Sequence, residues 1–171
     1  YKIGISGCKC HCAAHEIQDV AFTAFKTEDN EVLFDLTIGG GLSKSKQIAT
    51  RANKYLKPEQ VLDVAVACAE IFRDNGNRDN RNKARVRHLL NDWGIEKFVE
   101  EIEKAIGYKL QDGLEAPVVA SFENRNHFGI NRQKQAGLSY VGFATNSGRV
   151  GGEDFVKFYE ICKKYGAGGV A

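Results

Sequence analysis

Apolar positions along the chain follow two periods, and the change between them divides it. In the first segment the pattern is that of strands: Tyr1 to Ser6 (YKIGIS), Val20 to Phe25 (VAFTAF) and Val32 to Ile38 (VLFDLTI), with the polar KTEDNE as a hairpin turn between the last two. The period then lengthens. Ser43 to Leu56 predicts a helix with Ile48, Ala52, Tyr55 and Leu56 inward, and Pro58 opens the next at its first turn. That helix carries Val61, Val64, Ala65, Cys68, Ala69 and Phe72 at unbroken helical spacing, which makes Cys68 a core residue, and Asn75-Gly76 ends it. A third, starting near the N-cap Asp79, would bury Val86, Leu89, Leu90 and Trp93. A fourth would bury Phe98, Val99, Ile102 and Ile106 and stop at Gly107. Strands followed by four helices describe an α+β fold, a mixed sheet with a run of packed helices.

After Lys109 the pattern thins. Leu110 to Pro117 is punctuated like a linker, Val118 to Phe122 is a short strand, and the polar ENRNHFGINRQKQ leads to an alternating strand, Leu138 to Thr145. A last helix, Glu153 to Tyr165, would bury Phe155, Phe158, Tyr159 and Cys162. Two domains follow, 1–109 and 110–171. One strand pair and one helix make too small a core to stand alone, so the second needs a partner.

Composition narrows the function classes. The 171 residues are 43% hydrophobic with a net charge of +2, and no apolar run reaches the length of a membrane span. Neither a nucleic-acid nor a membrane partner is indicated, and a cytoplasmic location is expected. Cation is concentrated locally instead: between Arg73 and Arg87 lie Arg73, Arg78, Arg81, Lys83, Arg85 and Arg87 against Asp74 and Asp79. On a helix from Asp79, the residues Arg81, Arg85 and His88 would form a stripe beside the buried one. Such guanidinium forks suit a planar ligand bearing several carboxylates or phosphates, and a solvated basic face is an equal reading of this segment taken alone. Gly39, Gly40 and Gly41 after the third strand permit either a sharp turn or a close backbone approach, and the turn is the simpler reading. They lack the spacing of a nucleotide-binding loop.

Five cysteines, an odd number, exclude an extracellular disulfide framework. Cys8, Cys10 and Cys12 would share one side of an extended segment. With His11 or His15 they could hold zinc or part of an iron-sulfur site, or they are free thiols. On that basis a small non-enzymatic metal-binding or interaction protein using CKCHC is a rival reading.

Four stretches in order resemble the sirohaem-dependent nitrite and sulfite reductases: YKIGISG with HEIQDVAF, GGGLS at Gly39 to Ser43, IFRDNGNRDNRNKARVRHLLNDWGIEKF, and HFGINRQKQAGLSYVGFATNSGRV. The resemblance covers most of the chain. It implies a protein that reduces nitrite to ammonia or sulfite to sulfide by six electrons, with sirohaem and a 4Fe-4S cluster. Its partners would be an electron donor such as ferredoxin or a flavoprotein and a small inorganic anion as substrate.

Within that family the chain reads as an internal fragment whose partners include the missing halves of the parent. Residues 1–109 are similar to the first sirohaem-type α/β unit and 110–171 to a truncated, ferredoxin-like βα half-domain of the second repeat. Arg78, Arg81 and Arg85 would face the carboxylates of sirohaem, and Lys2 would be the catalytic lysine aimed at the iron-bound anion. Cys8 and Cys12 match the family's Gly-Cys-x3-Cys ligand spacing, but in the repeat where cluster ligands are not expected. The isolated fragment is expected to be inactive and to bind neither cofactor.

Overall fold

In the computed structural model the described residues are 1–7, 13–42, 44–115, 127–133 and 135–166. The chain falls into two units, Tyr1–Arg125 and Asn126–Ala171. The first is built on a five-stranded sheet in the order β1 (Ile3–Ser6), β2 (Val20–Lys26), β3 (Val32–Ile38), β4 (Thr50–Leu56) and β5 (Gln111–Asp112). The pair β1 and β2 is parallel and every other pair antiparallel, so the sheet is mixed. The predicted hairpin is β2–β3, closed at Asn30 in the left-handed region.

Helices α1 (Val61–Asn75), α2 (Val86–Trp93) and α3 (Ile95–Ile106) follow β4. They cover one face of the sheet. Val20, Phe22, Leu36, Ile38 and Leu56 from the strands meet Val64, Cys68, Val86, Phe98 and Ile102 from the helices, all fully buried. Each such side chain contributes about 1.5–3 kcal/mol by leaving water. Gly107, at φ 81° with its N–H bonded to Glu103 O, ends α3 in the left-handed cap that glycine favours.

Two expectations fail in this unit. Residues 44–56 do not form the helix expected over Ser43 to Leu56: their second half is strand β4, and Ile48, expected inward, is 66% exposed. The buried residues Ala52 and Leu56 are four apart, a spacing that both periods allow. Pairing with β3 and β5 decides for strand, with a register shift between Asp35 and Thr37 opposite Asn53, whose φ is 53°. Nor does the basic helix begin near Asp79. Residues 76–85 hold one short 3₁₀ turn, Arg81–Lys83, and α2 starts at Val86. Asparagine side chains compete for the backbone here: Asn77 Oδ1 accepts the Asn80 N–H at 2.8 Å and Asn80 Oδ1 that of Asn82 at 3.0 Å.

The segment after α3 is tied to the first unit. Glu103 accepts the Leu110 N–H at 3.0 Å, β5 pairs with β4, and Arg51 donates to the carbonyls of Leu114 and Glu115. The expected strand Val118 to Phe122 lies outside the described residues.

The second unit holds an antiparallel hairpin, β6 (Gly129–Arg132) and β7 (Ser139–Gly142), and α4 (Gly152–Tyr165). Phe143 meets Phe158 with ring centroids 5.3 Å apart. The four residues expected to be buried on α4 are not: Phe155 is 64% and Tyr159 59% exposed, and Phe158 and Cys162 are half-buried. A hairpin and one helix have too little apolar surface of their own to cover that face.

Candidate functional site

The centre of the site is Asp19, which sits between the 3₁₀ turn His15–Ile17 and β2 and has no exposed surface. A carboxylate there must be fully hydrogen-bonded, because an unpaired buried charge costs several kcal/mol. Its Oδ1 accepts Arg85 Nε at 2.8 Å, while Oδ2 accepts Arg85 Nη2 at 3.0 Å and the backbone N–H of Lys2 at 2.8 Å. The main chain is held as well, since the Gly39 N–H donates to Asp19 O at 2.8 Å. One buried residue thereby joins three segments: its carboxylate holds the start of β1 and the residue before α2, and its main-chain carbonyl holds the glycine turn after β3.

The three glycines are approached from three sides. A methyl at Gly39, whose φ is 88°, would lie 2.5 Å from Leu90 Cδ2, and one at Gly40 would lie 2.4 Å from Glu16 O. At Gly41 the neighbours are cationic: the methyl would be 2.4 Å from Arg87 Nη1 and 3.3 Å from Arg85 Nη2. The turn reading is therefore incomplete, because this turn is also a surface on which two guanidinium groups converge. Gly41 is fixed by a reciprocal pair of backbone bonds with Gln47, both 2.9 Å, and the Gln47 and Asn91 side-chain amides bond each other at 3.1 and 3.0 Å.

Of the residues singled out from sequence, Lys2 and Arg85 are brought together through Asp19. The Lys2 side chain is exposed and its backbone is pinned. Arg85 is half-buried with an extended backbone, φ −138° and ψ 152°, so it does not share a helical stripe with Arg81 and His88. Arg78 is held elsewhere. Its Nη2 donates to the carbonyls of Phe72 and Arg73 at 3.0 and 3.1 Å, its guanidinium lies 4.8 Å from the Phe72 ring centroid, and it thereby closes the end of α1. Arg81 is exposed on its 3₁₀ turn. Cys8 and Cys12 lie outside the described residues, and Cys68 is core. Among the described residues, no group of three or more His, Cys, Asp or Glu could hold a metal ion.

Asp19 is not singled out by the sequence, and Arg87 is picked out only as one cation of the basic stretch, not as a buried one. Asp19 is a lone carboxylate directly before an apolar strand, a position that demands a buried cation. Arg87 is 1% exposed, between Val86 and Leu89 on the core side of α2. Next to it, burial and then the charge of Arg87 hold the His88 imidazole below the ordinary histidine range. Arg85 and Arg87 thus both approach the open side of Gly41, and the Asp19 carboxylate is bonded to Arg85.

Residues 1–110 match the family described as the nitrite and sulphite reductase 4Fe-4S domain. The chain is 34% identical over 99% of its length to the ferredoxin–nitrite reductase of Synechococcus elongatus, covering 33% of that protein. It is 37% identical over 97% of its length to the sulfite reductase (ferredoxin) 2 of Mycolicibacterium paratuberculosis, covering 29% of it. The solved structure of the Mycobacterium tuberculosis NirA protein superposes with a TM-score of 0.82 at 36% identity, over 95% of this chain and 29% of that one. The chain belongs to the nitrite and sulphite reductase family. It spans about a third of the length of the curated relatives it matches. Membership of that family displaces the rival reading of a small non-enzymatic metal-binding protein. No helix among the described residues is long and apolar enough to cross a membrane.

Proposed function

We propose that this chain forms part of a reductase that converts nitrite to ammonia or sulfite to sulfide, and that its first unit walls one side of a pocket for sirohaem. The observation that carries the reading is the convergence of Arg85 and Arg87 on Gly41, with Asp19 fixing both Arg85 and the backbone of Lys2. A buried polycarboxylate macrocycle needs fixed cations, and the residues present fit that need. Arg85 spends Nε and one Nη2 hydrogen on Asp19, which leaves its Nη1 and second Nη2 hydrogens for a ligand carboxylate. Sirohaem, when bound, supplies the iron at which the anion is reduced. Lys2 is assigned the catalytic role: its ammonium stabilises charge on the anion's oxygens and gives them protons as they leave as water.

Arg81 and Arg78 are assigned to the outer cationic rim, Arg78 through the hydrogens not spent on α1. Cys8 and Cys12 lie outside the described residues, and because this unit resembles the repeat in which cluster ligands are not expected, the ligands are assigned to other parts of the protein. Residues 1–109 are assigned to the first sirohaem-type unit and 110–171 to a ferredoxin-like half-domain, whose exposed α4 face would be covered by the remainder of the protein. The electron donor is ferredoxin, the donor in the names of both reductases compared above, and the location is cytoplasmic.

The test is Arg85→Ala in the intact reductase. Sirohaem per chain should fall about tenfold after gel filtration. Full sirohaem content with unchanged turnover would overturn the reading.

A further inference from the structure

We propose that Asp19 is a positioning residue that couples the two halves of this site, setting the edge of Arg85 offered to the cofactor and the place of Lys2 relative to it. The inference rests on the reading of Arg85 and Lys2 given above. Asp19 has no exposed surface, so neither its charge nor its geometry is relieved by water. Its two oxygens receive three hydrogen bonds, two from the Nε/Nη2 edge of Arg85 and one from Lys2 N–H.

Binding the side-on edge leaves the end-on Nη1/Nη2 edge of Arg85 outward. That is the edge able to take a carboxylate with two parallel bonds. The same Oδ2 that receives Nη2 also receives the Lys2 N–H. A displacement of Arg85 is therefore transmitted to the start of β1, which the Val20 N–H to Lys2 O bond, 3.2 Å, holds against β2.

An asparagine at 19 cannot serve this purpose. Its amide can accept for only one of the two oxygens, and its NH₂ meets either Arg85 Nε–H or the pair formed by Arg85 Nη2 and Lys2 N–H donor to donor. Asp35 provides a structural comparison in the same sheet. It is 7% exposed and accepts Arg51 Nε at 2.7 Å, in a pair between β3 and β4 rather than between the residues of the site.

The experiment uses the intact reductase with Arg85→Ala, Lys2→Ala, Asp19→Asn, Asp35→Asn and the double variant Asp19→Asn with Arg85→Ala. It reads sirohaem per soluble chain and, separately, anion turnover per bound sirohaem. Asp19→Asn should lower sirohaem about tenfold, as substitutions of residues that orient a ligand-binding group commonly do. It should add nothing to the loss in the Arg85→Ala background, because it acts through that arginine. Turnover per remaining sirohaem should also fall, in the direction set by Lys2→Ala, whereas Asp35→Asn should leave both values near those of the native protein.

If Arg85→Ala empties the protein and Asp19→Asn does not, the positioning role is overturned and the site reading stands. Equal losses in Asp19→Asn and Asp35→Asn would reduce Asp19 to a general structural residue and overturn the role as well. If neither Arg85→Ala nor Lys2→Ala has an effect, the site reading itself has failed and takes this proposal with it. Should Asp19→Asn not accumulate in soluble form, Asp19→Glu keeps the charge and shifts it by one methylene. Reduced turnover per sirohaem then supports the role, and native turnover at native sirohaem content overturns it.

Discussion

A methyl group at Gly41 would stand 2.4 Å from Nη1 of Arg87, a residue that is 1% exposed. The clash falls on the far end of a flexible side chain, so Gly41→Ala should shift Arg87 and leave the backbone of the turn in place. The expected stability loss is about 1 kcal/mol, small for an overpacked position. Sirohaem content in the intact protein should fall much further than that figure suggests. Gly40→Ala behaves differently, because its methyl meets the carbonyl oxygens of Glu16 and Gln18 at 2.4 and 2.7 Å, and backbone cannot swing away. A loss above about 3 kcal/mol or failure to fold is expected there, measured by denaturant unfolding of both variants side by side.

The contrast between those glycines shows how far the sequence could be read. Strands β1 to β3, helices α1 and α3 and the buried stripe of α2 follow from local periodicity, and the structure places them where the pattern does. Strand β4 was hidden because Ala52 and Leu56 satisfy both periods and only pairing with distant strands separates them. At the site, the cationic stretch and Lys2 stand out as charge. Asp19 does not, since its value depends on a partner far away in sequence, Arg85 at 66 positions, and the burial of Arg87 is hidden because an arginine beside an apolar stripe is ordinarily exposed. The start of α2 was misplaced by seven residues of Asn-rich chain that turn on their own side chains, which moved Arg81 and Arg85 off the expected stripe.

Glu103 should set the acid limit of the first unit. Burial alone would raise its carboxyl, but hydrogen bonds from Lys109 at 2.7 Å, from the Leu110 N–H at 3.0 Å and from Lys54 outweigh it and lower it below 4.5. The unfolded chain therefore binds this proton more readily than the folded one. The stabilisation is complete above about pH 4.5 and is lost as pH falls through the lower folded value. Glu103→Gln should cost on the order of 1–3 kcal/mol at pH 7 and flatten the decline of stability below pH 4.5, followed by urea midpoints between pH 3 and 7.

Cys68 lies wholly inside the core, where burial pushes its thiol up to about 12. Only the thiolate is nucleophilic, so at neutral pH this residue should be inert in the native fold. Alkylation with iodoacetamide followed by peptide mass mapping should leave Cys68 unmodified until denaturant is added. Labelling at a rate near that of a free thiol would mean that α1 opens far more often than its packing allows.

The last prediction concerns Lys2, whose backbone is fixed on both sides, by the Asp19 carboxylate and by β2, while its side chain stays exposed. A side chain with so little packing contributes little to folding, so Lys2→Ala should leave the unfolding midpoint and the sirohaem content of the intact reductase close to native. Its assigned role is electrostatic and is exerted most strongly when charge builds on the departing oxygen. Removing one preorganised donor of this kind costs on the order of 3 kcal/mol of barrier, about a hundredfold in rate. The loss should appear in kcat rather than in KM alone, because the interaction is stronger in the transition state than with the resting anion. Lys2→Arg keeps the charge but spreads it over a wider group that gives up protons poorly, so it should recover anion affinity more than turnover. Steady-state kinetics on the three proteins, normalised to bound sirohaem, measure this directly, and a Lys2→Ala enzyme with native kcat would remove Lys2 from the chemistry.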